Sequence, residues 1–583
     1  MEEQQPKETQ AIENTLSPST STQTTVHDVV MEEATTVLNS TTEKDNKVIA
    51  DTAMNNQRIV EEFQYLLEKS QQLFAGLSET NYLHESYIFY EAIRERSYFK
   101  DVLDVKNPAL MIKKLRYYAR FIVVCLLLNN REIVQKLMDE LSGLVDDYIR
   151  MFKPVDSIEW QSVLQEIGTF LEAEKKLVPI SPGVNYLPIT RRLQIERSPR
   201  LEKDGTHKLK LQESILVGNC QNQIKFSELT LDMYHILQSL EREPAPPKTA
   251  PKASAVESSS ANERVTGKDD TSVEEQSSIN TQADKTASRR VNPHKYLLYK
   301  PSFSQLLVYI ATAFKEITEN SAMLLYISAD GAKRSNNNDQ RYAGGVATSS
   351  RKPAEKSEAS DNIALINCLH PDDLVPFTRK PMFLIIDSNN STAFSNFPMV
   401  FNQPFLCLMS PTEYPTSISD TSQIGSLFTL FLHAPLLGFA FISGISKMDL
   451  EDWEKCVNLV CEAEMTIVEL FNSSNLERSL KRFLQDDFLR QFLIRFVLCN
   501  VLLKSHTSFQ EEKNLPSSCP PLPSTIFDSP DLLAKLSQIT KVAQVEKFYS
   551  FPTLVVEEEV NESTTQAEDP IEDKTSPEAE SNN

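Results

Sequence analysis

Residues 376–444 read PFTRKPMFLIIDSNNSTAFSNFPMVFNQPFLCLMSPTEYPTSISDTSQIGSLFTLFLHAPLLGFAFISG. Two short apolar runs, 382–387 and 405–409, are each closed by polar residues or proline. Runs of that length, apolar on both faces and bounded by turn formers, predict buried strands of a parallel sheet. Downstream, residues 421–446 contain no Asp, Glu, Lys or Arg. Such a stretch must be buried, either in a protein core or in lipid. Its length suffices to span a bilayer, but His433 and Pro435 sit at its centre with Gly438 close by. A polar ring and a helix breaker there favour a buried helix–turn–helix. Only Lys447 flanks the stretch closely, so basic residues support no membrane orientation. A single span over 421–446 is kept as the alternative.

Outward toward the C-terminus, helices are expected over 449–471, 476–502 and 531–542, followed by an acidic tail, 551–583, without structure. Outward toward the N-terminus, a helix over 304–317 and a strand over 323–328 precede the quoted stretch, and residues 330–361 read as a long polar surface loop. Strands alternating with helices or long crossovers predict an open α/β sheet over 291–550. Residues 244–290 are dominated by Pro, Ala, Ser, Lys and Glu and lack aromatics, the composition of a disordered linker. Before it, residues 55–243 read mainly as a helical array. Tyr82, Phe89, Tyr90 and Tyr98 suit the packing face of a helical hairpin, and the very apolar run ARFIVVCLLL, 119–128, predicts a buried core helix. Residues 178–212 read as an irregular connector, with short strands near 208–211 and 215–217. A helix follows over 226–240, with Ser227 as its N-cap. No strict repeat of tetratricopeptide length is found, so the array is tetratricopeptide-like only in its succession of helices. Residues 1–54, rich in Ser, Thr, Gln and Glu, should be disordered. The fold class is therefore α-rich: a helical N-terminal part, then an open α/β sheet with C-terminal helices.

The formal net charge is −22, and residues 1–50 and 557–583 carry −15 of it. That distribution disfavours a general polyphosphate-binding surface. The basic clusters Lys113, Lys114, Arg116 with Arg120, and Arg191 with Arg192, lack any recognition-helix or zinc-finger context, so direct sequence-specific DNA binding is not expected. The 13 glycines form no phosphate-binding loop motif. The eight cysteines include no C-x-x-C pair and no zinc-ligand spacing, which reads as reduced, intracellular thiols.

Two loops merit chemical weighing. Asp387-Ser-Asn-Asn-Ser391 follows a predicted strand, where α/β sheets place ligands, and resembles the D-x-S-x-S metal loop of von Willebrand A domains. A strand-to-turn motif built on Asp and Asn is the simpler reading. His370 lies near Asp372 and Asp373, and Ser410-Pro411 follows a strand, but no nucleophile elbow or Cys–His signature accompanies them. No catalytic, cofactor-binding or metal-ligating residue is assigned, and no cofactor is expected.

The runs LRYYARFIVVCLLLN (115–129), GNCQNQIKFSELTLDM (218–233), NPHKYLLYKPSFSQL (292–306) and GSLFTLFLHAPL (425–436) closely resemble the suppressor of cancer cell invasion (SCAI) family. The resemblance implies a non-enzymatic transcriptional cofactor of the nucleus and cytoplasm. It implies co-repressor action on myocardin-related coactivators with serum response factor, downstream of Rho, and a chromatin role in DNA repair. Its partners would be transcription coactivators and chromatin or repair proteins. In family members several dozen further residues separate the segments seen here as 71–77 and 78–83, which in this chain adjoin. The alternative function is a membrane-associated signalling adaptor anchored through 421–446.

Overall fold

The computed structural model describes residue 65 and residues 80–98, 107–180, 192–193, 209–242, 292–332, 344–349, 367–418 and 420–551. The expectations for residues 1–54, the helix starting near 55, the 244–290 linker, most of the 330–361 loop, Arg191 and the acidic tail lie outside them. The chain divides into two compact units, the first ending at Val124 and the second carrying nearly everything after it.

In the first unit, α1 (Thr80–Glu95) packs on the N-terminal part of α2 (Pro108–Leu127). Tyr90 is fully buried and stacks on Phe121 at 5.4 Å. The Tyr117 hydroxyl donates to the Tyr90 carbonyl at 2.6 Å. That bond satisfies a phenol whose burial raises its pKa well above the usual value. Tyr90 thus grips its neighbour as the aromatic pattern suggested, while Tyr98 lies at the surface beside Arg96. Residues Phe121–Leu127 are all buried, as the run ARFIVVCLLL required.

In the second unit, α3 (Arg131–Phe152) and α4 (Ser157–Lys176) form a helical hairpin. Asp156 at the turn accepts from the Tyr148 hydroxyl (3.1 Å) and the Trp160 indole N–H (3.2 Å), tying the two helices together. A six-stranded sheet follows, in the order β11-β10-β9-β5-β1-β4. Its strands are β1 (Lys210–Asn219), β4 (His294–Tyr299), β5 (Ser321–Ala329), β9 (Met382–Asp387), β10 (Phe405–Met409) and β11 (Ser517–Cys519). All neighbours pair in parallel except β10 with β11. Strands β5, β9 and β10 are buried along their whole length, which explains their unbroken apolar text.

Side chains alternate between the two faces. One face presents Ile215, Val217, Met323, Leu325, Leu384 and Ile386 to α6 (Phe303–Glu316), whose Leu306, Ile310 and Ala313 complete that core. Ser302 and Gln305 close a capping box at the start of α6. The other face meets α5 (Leu231–Ser239), α8 (Leu427–His433) and α11 (Arg478–Phe483): Tyr326 bonds Thr429, and Phe383 meets Phe483 edge-on at 5.4 Å. A small three-stranded sheet of β6 (Gly331–Ala332), β7 (Gly345–Ala347) and β8 (Cys368–Leu369) flanks the strand ends. A two-stranded ribbon, β2 (Lys225–Phe226) with β3 (Leu229–Thr230), leads into α5.

The structure corrects several expectations. The two short strands placed near 208–211 and 215–217 are one strand, β1, which lies between β4 and β5. A boundary at 243 between a helical array and the sheet therefore cuts off a central strand and α5. The helix expected over 226–240 starts only at Leu231, capped by Thr230; Ser227 instead holds a positive φ of 56° in the turn between β2 and β3. Residues 331–332 and 345–347, read as loop, pair as strands: Gly331–Ala332 with Gly345–Val346, and Val346–Ala347 in turn with Cys368–Leu369. The helix expected over 476–502 is broken at Asp486, which caps α12 (Asp487–Ser505) through the Phe488 and Leu489 amides.

Residues 421–446 form α8 and α9 (Pro435–Ile442), two short helices separated at Ala434 and buried almost throughout. Among the described residues no helix is long and apolar enough to cross a membrane. The helices close on each other because Gly438 faces the ring of Phe431: a Cβ there would lie 2.8 Å from the ring. Gly438→Ala is expected to lower unfolding free energy by about 1–3 kcal/mol through overpacking. Urea denaturation measures it, and an unchanged midpoint would show that the Phe431 ring yields freely.

Candidate functional site

The parallel strands run β4-β1-β5-β9-β10 across the sheet, so the chain reverses its direction of winding between β1 and β5. In doubly wound sheets this switch point opens a crevice at the carboxyl ends of the strands, where ligands bind. Here those ends are Asn219, Ala329 and Asp387. Two buried carboxyls face the crevice: Asp232, from the first turn of α5, and Asp387, at the end of β9.

Asp232 is held by three donors. Gln223 Nε2 lies 2.9 Å and Ser328 Oγ 3.2 Å from its Oδ2, and the Ser426 amide lies 2.9 Å from its Oδ1. The start of α5 adds its helix dipole, which favours an anion in the first turn. Gly425 has φ +83°, and a side chain there would strike the Asp232 Oδ1. The chain thus brings its own backbone to hydrogen-bonding distance of the carboxylate. Asp387 accepts from Thr429 Oγ1 at 2.6 Å, and the buried Tyr326 hydroxyl lies 2.6 Å from that same oxygen. With Thr429 donating to Asp387, Tyr326 donates to Thr429. A relay Tyr326–Thr429–Asp387 therefore joins β5, α8 and β9.

Among the described residues neither carboxylate has an ion pair. Burial, and then the charge of Asp232, push the Asp387 carboxyl up to about 6. Burial likewise raises Asp232, against the bonds from Ser426, Gln223 and Ser328. A carboxyl titrating there has the pKa of a general acid or base. Its surroundings, however, are committed to internal bonds, and only 8% of Asp387 is exposed.

The loop 387–391, weighed above as a metal loop or a strand-to-turn motif, forms a hydrogen-bonded turn. The Ser388 amide donates to Ser410 Oγ (3.0 Å) and Asn389 Oδ1 accepts from the Gly331 amide (2.7 Å). Asn390 Nδ2 reaches the Gly345 carbonyl (3.1 Å), and Ser391 Oγ the Ser410 carbonyl (2.7 Å). These bonds pin the small sheet to the end of the large one. Among the described residues no group of three His, Cys, Asp or Glu is placed to hold a metal ion. Ser410, weighed beside His370 as a candidate, serves this turn instead. His370 Nε2 lies 3.1 Å from Cys368 Sγ, a contact the sequence did not signal. Burial pushes that thiol up to about 11, so it stays protonated and poorly nucleophilic. Asp373 accepts from the His370 amide at the start of a short helical turn. In the basic cluster, Lys113 is half-buried, and Arg192 reaches back toward the Leu127 carbonyl at 3.5 Å.

Sequence reading missed Asp232, Gln223, Tyr326, Ser328 and Thr429. The available signal was an acid inside the apolar stripe of α5, which an ordinary amphipathic helix would place toward solvent.

Because the folded-state pKa of Asp387 lies above its unfolded value, folding binds a proton, and stability is lost as pH rises from about 4 to about 6. Asp387→Asn, which keeps an acceptor for Thr429, is therefore expected to stabilise the chain at pH 7. The gain is of order 2 kcal/mol and vanishes below about pH 4. Urea titrations across that window read the effect; a constant difference between the two proteins at every pH would rule out a shifted Asp387.

The family model described as Protein SCAI matches residues 66–509. Mouse and human Protein SCAI are each 41% identical over 482 residues, covering 81% of this chain and 75% of theirs. The Protein SCAI homolog of Dictyostelium discoideum is 32% identical over 615 residues, covering 80% of this chain and 79% of its own. The match runs through the helical hairpin, the five parallel strands of the sheet, both carboxylates of the crevice and α8, and the chain belongs to the SCAI family.

Proposed function

We propose that the protein is a non-enzymatic transcriptional cofactor that binds coactivator complexes and restrains them by occupancy. The single observation that carries this reading is the closure of the switch-point crevice. The place where a sheet of this winding accepts a small molecule is taken by Gly425, Ser426 and Thr429 of the same chain. A scaffold stiffened in this way presents surfaces and leaves the chemistry to its partners. We extend the proposal, on the family resemblance, to co-repressor action on myocardin-related coactivators with serum response factor and to association with chromatin and repair proteins, in nucleus and cytoplasm. The membrane-adaptor alternative loses its anchor, since residues 421–446 form two short helices.

The test is a serum-response reporter combined with co-precipitation of a myocardin-related coactivator by the full chain. Repression together with capture is expected; a well-expressed, folded chain that neither captures the coactivator nor lowers the reporter would overturn the reading. Asp232→Asn and Asp387→Asn are expected to repress as well as the parent, because occupancy needs no proton transfer. A tenfold loss of repression in either variant at unchanged abundance would move the case toward carboxylate chemistry.

A further inference from the structure

At the end of the large sheet away from the carboxylate crevice, β10 is entered through residues 397–404, FPMVFNQP. Phe397 is buried and stacks on Phe405 at 4.2 Å. The Pro404 carbonyl accepts from the Met382 amide at 3.0 Å, and the Val400 amide donates to the Pro398 carbonyl at 3.1 Å. Both feet of the loop are thereby fixed, yet its tip turns apolar groups to water. Met399 is 46% and Val400 64% exposed, and Phe401 is half-buried. Consecutive apolar side chains presented on a fixed loop mark a contact surface, because little ordering entropy remains to be lost on binding.

Cations lie beside this tip. The Arg379 guanidinium sits over the Phe401 ring at 5.1 Å, which leaves the N–H fork at its edge open to a carboxylate. Its neighbour Lys380 sits over Phe314 at 4.8 Å and donates to the Phe314 and Ile317 carbonyls at 2.7 and 2.6 Å. On the opposite face of the sheet at the same end, Phe483 holds α11 against Phe383 near the start of β9, and α11 carries Lys481 and Arg482. Among the described residues Arg379, Lys481 and Arg482 have no ion pair, and the Arg482 Nε has no acceptor. Nor does the local chain supply one: residues 374–412 contain a single acid, Asp387, at the far end of β9.

An extended polyanion, whether nucleic acid or an anionic membrane, would bring its charge against the rest of a chain whose net charge is −22. A short acidic segment seated at the tip meets chiefly the charges within one Debye length, about 8 Å at physiological salt. We propose that this end of the sheet docks an acidic, apolar peptide segment of a partner protein. Leu or Phe side chains of the segment cover Met399 and Val400, its carboxylates meet Arg379, and Lys481 with Arg482 widen the positive field. The inference concerns a surface, does not rest on the coactivator reading, and has a test without a transcriptional readout.

That test is fluorescence anisotropy of a labelled synthetic peptide titrated with the purified full chain. The peptide is built of Asp and Glu, with Leu and Phe placed three and four residues apart. Saturable binding that weakens as salt rises is expected, and the same peptide with Lys at every acidic position should not bind. Arg379→Glu and Val400→Asp should each weaken binding about tenfold or more at unchanged melting, since both side chains are at the surface. Val155→Asp, at the exposed apolar tip between α3 and α4, should bind like the parent. In the parent, hydrogen exchange over 397–404 should slow when the peptide is added, a readout that needs no substitution. A full chain that does not bind the acidic peptide would overturn the proposal. So would binding kept by both Arg379→Glu and Val400→Asp, binding lost in Val155→Asp, or exchange over 397–404 indifferent to the peptide. Capture of phosphatidylserine vesicles, lost in the same two variants and unaccompanied by peptide binding, would overturn it in favour of a membrane surface.

Discussion

Everything in the second unit depends on β1 being held from both sides. It pairs with His294–Tyr299 along one edge and with Ser321–Ala329 along the other. Its partners follow it only after some 50 intervening residues outside the described set. Closing so long a connection costs entropy that grows slowly with length, and the two ladders and the buried Ile215, Leu216 and Val217 return it. Because β1 is central, residues 209–242 and the chain after 291 share one core. Gly218 marks how tightly: a Cβ there would lie 2.7 Å from Met233 of α5.

The close of β1 also explains the crevice. Turning from β1 into α5 delivers Asp232 to the end of the sheet, opposite Asp387 on β9. Burying two carboxyls without a cation is expensive by several kcal/mol if both are charged. The structure meets that cost with donors from Ser426, Thr429, Gln223 and Ser328, and by raising the affinity of both acids for a proton. The result fastens α8 to the sheet, and α8 in turn holds α12 behind it: Arg495 donates to the Leu432 carbonyl at 3.0 Å, and His433 bonds Ser239 of α5 at 2.9 Å. The acid pair is thus the keystone of that buried helical layer.

Local sequence sufficed wherever one physical rule governed alone. Met382–Asp387 and Phe405–Met409 had to be buried strands because no face of either run is polar. Residues 421–446 had to be buried, in a core or in lipid, because they carry no charge, and His433 with Pro435 favoured the break seen between α8 and α9. The apolar run in α2 was legible for the same reason: the residues that decide it lie within a few positions of one another. What only the tertiary structure decided was the company these elements keep. That 210–219 is one central strand and that Asp232 meets Ser426 across nearly two hundred residues each depend on pairings between distant segments. Hydrogen-bond partners and burial at such distances are set by the packed whole, since a short window of sequence carries no record of which segment will lie against it.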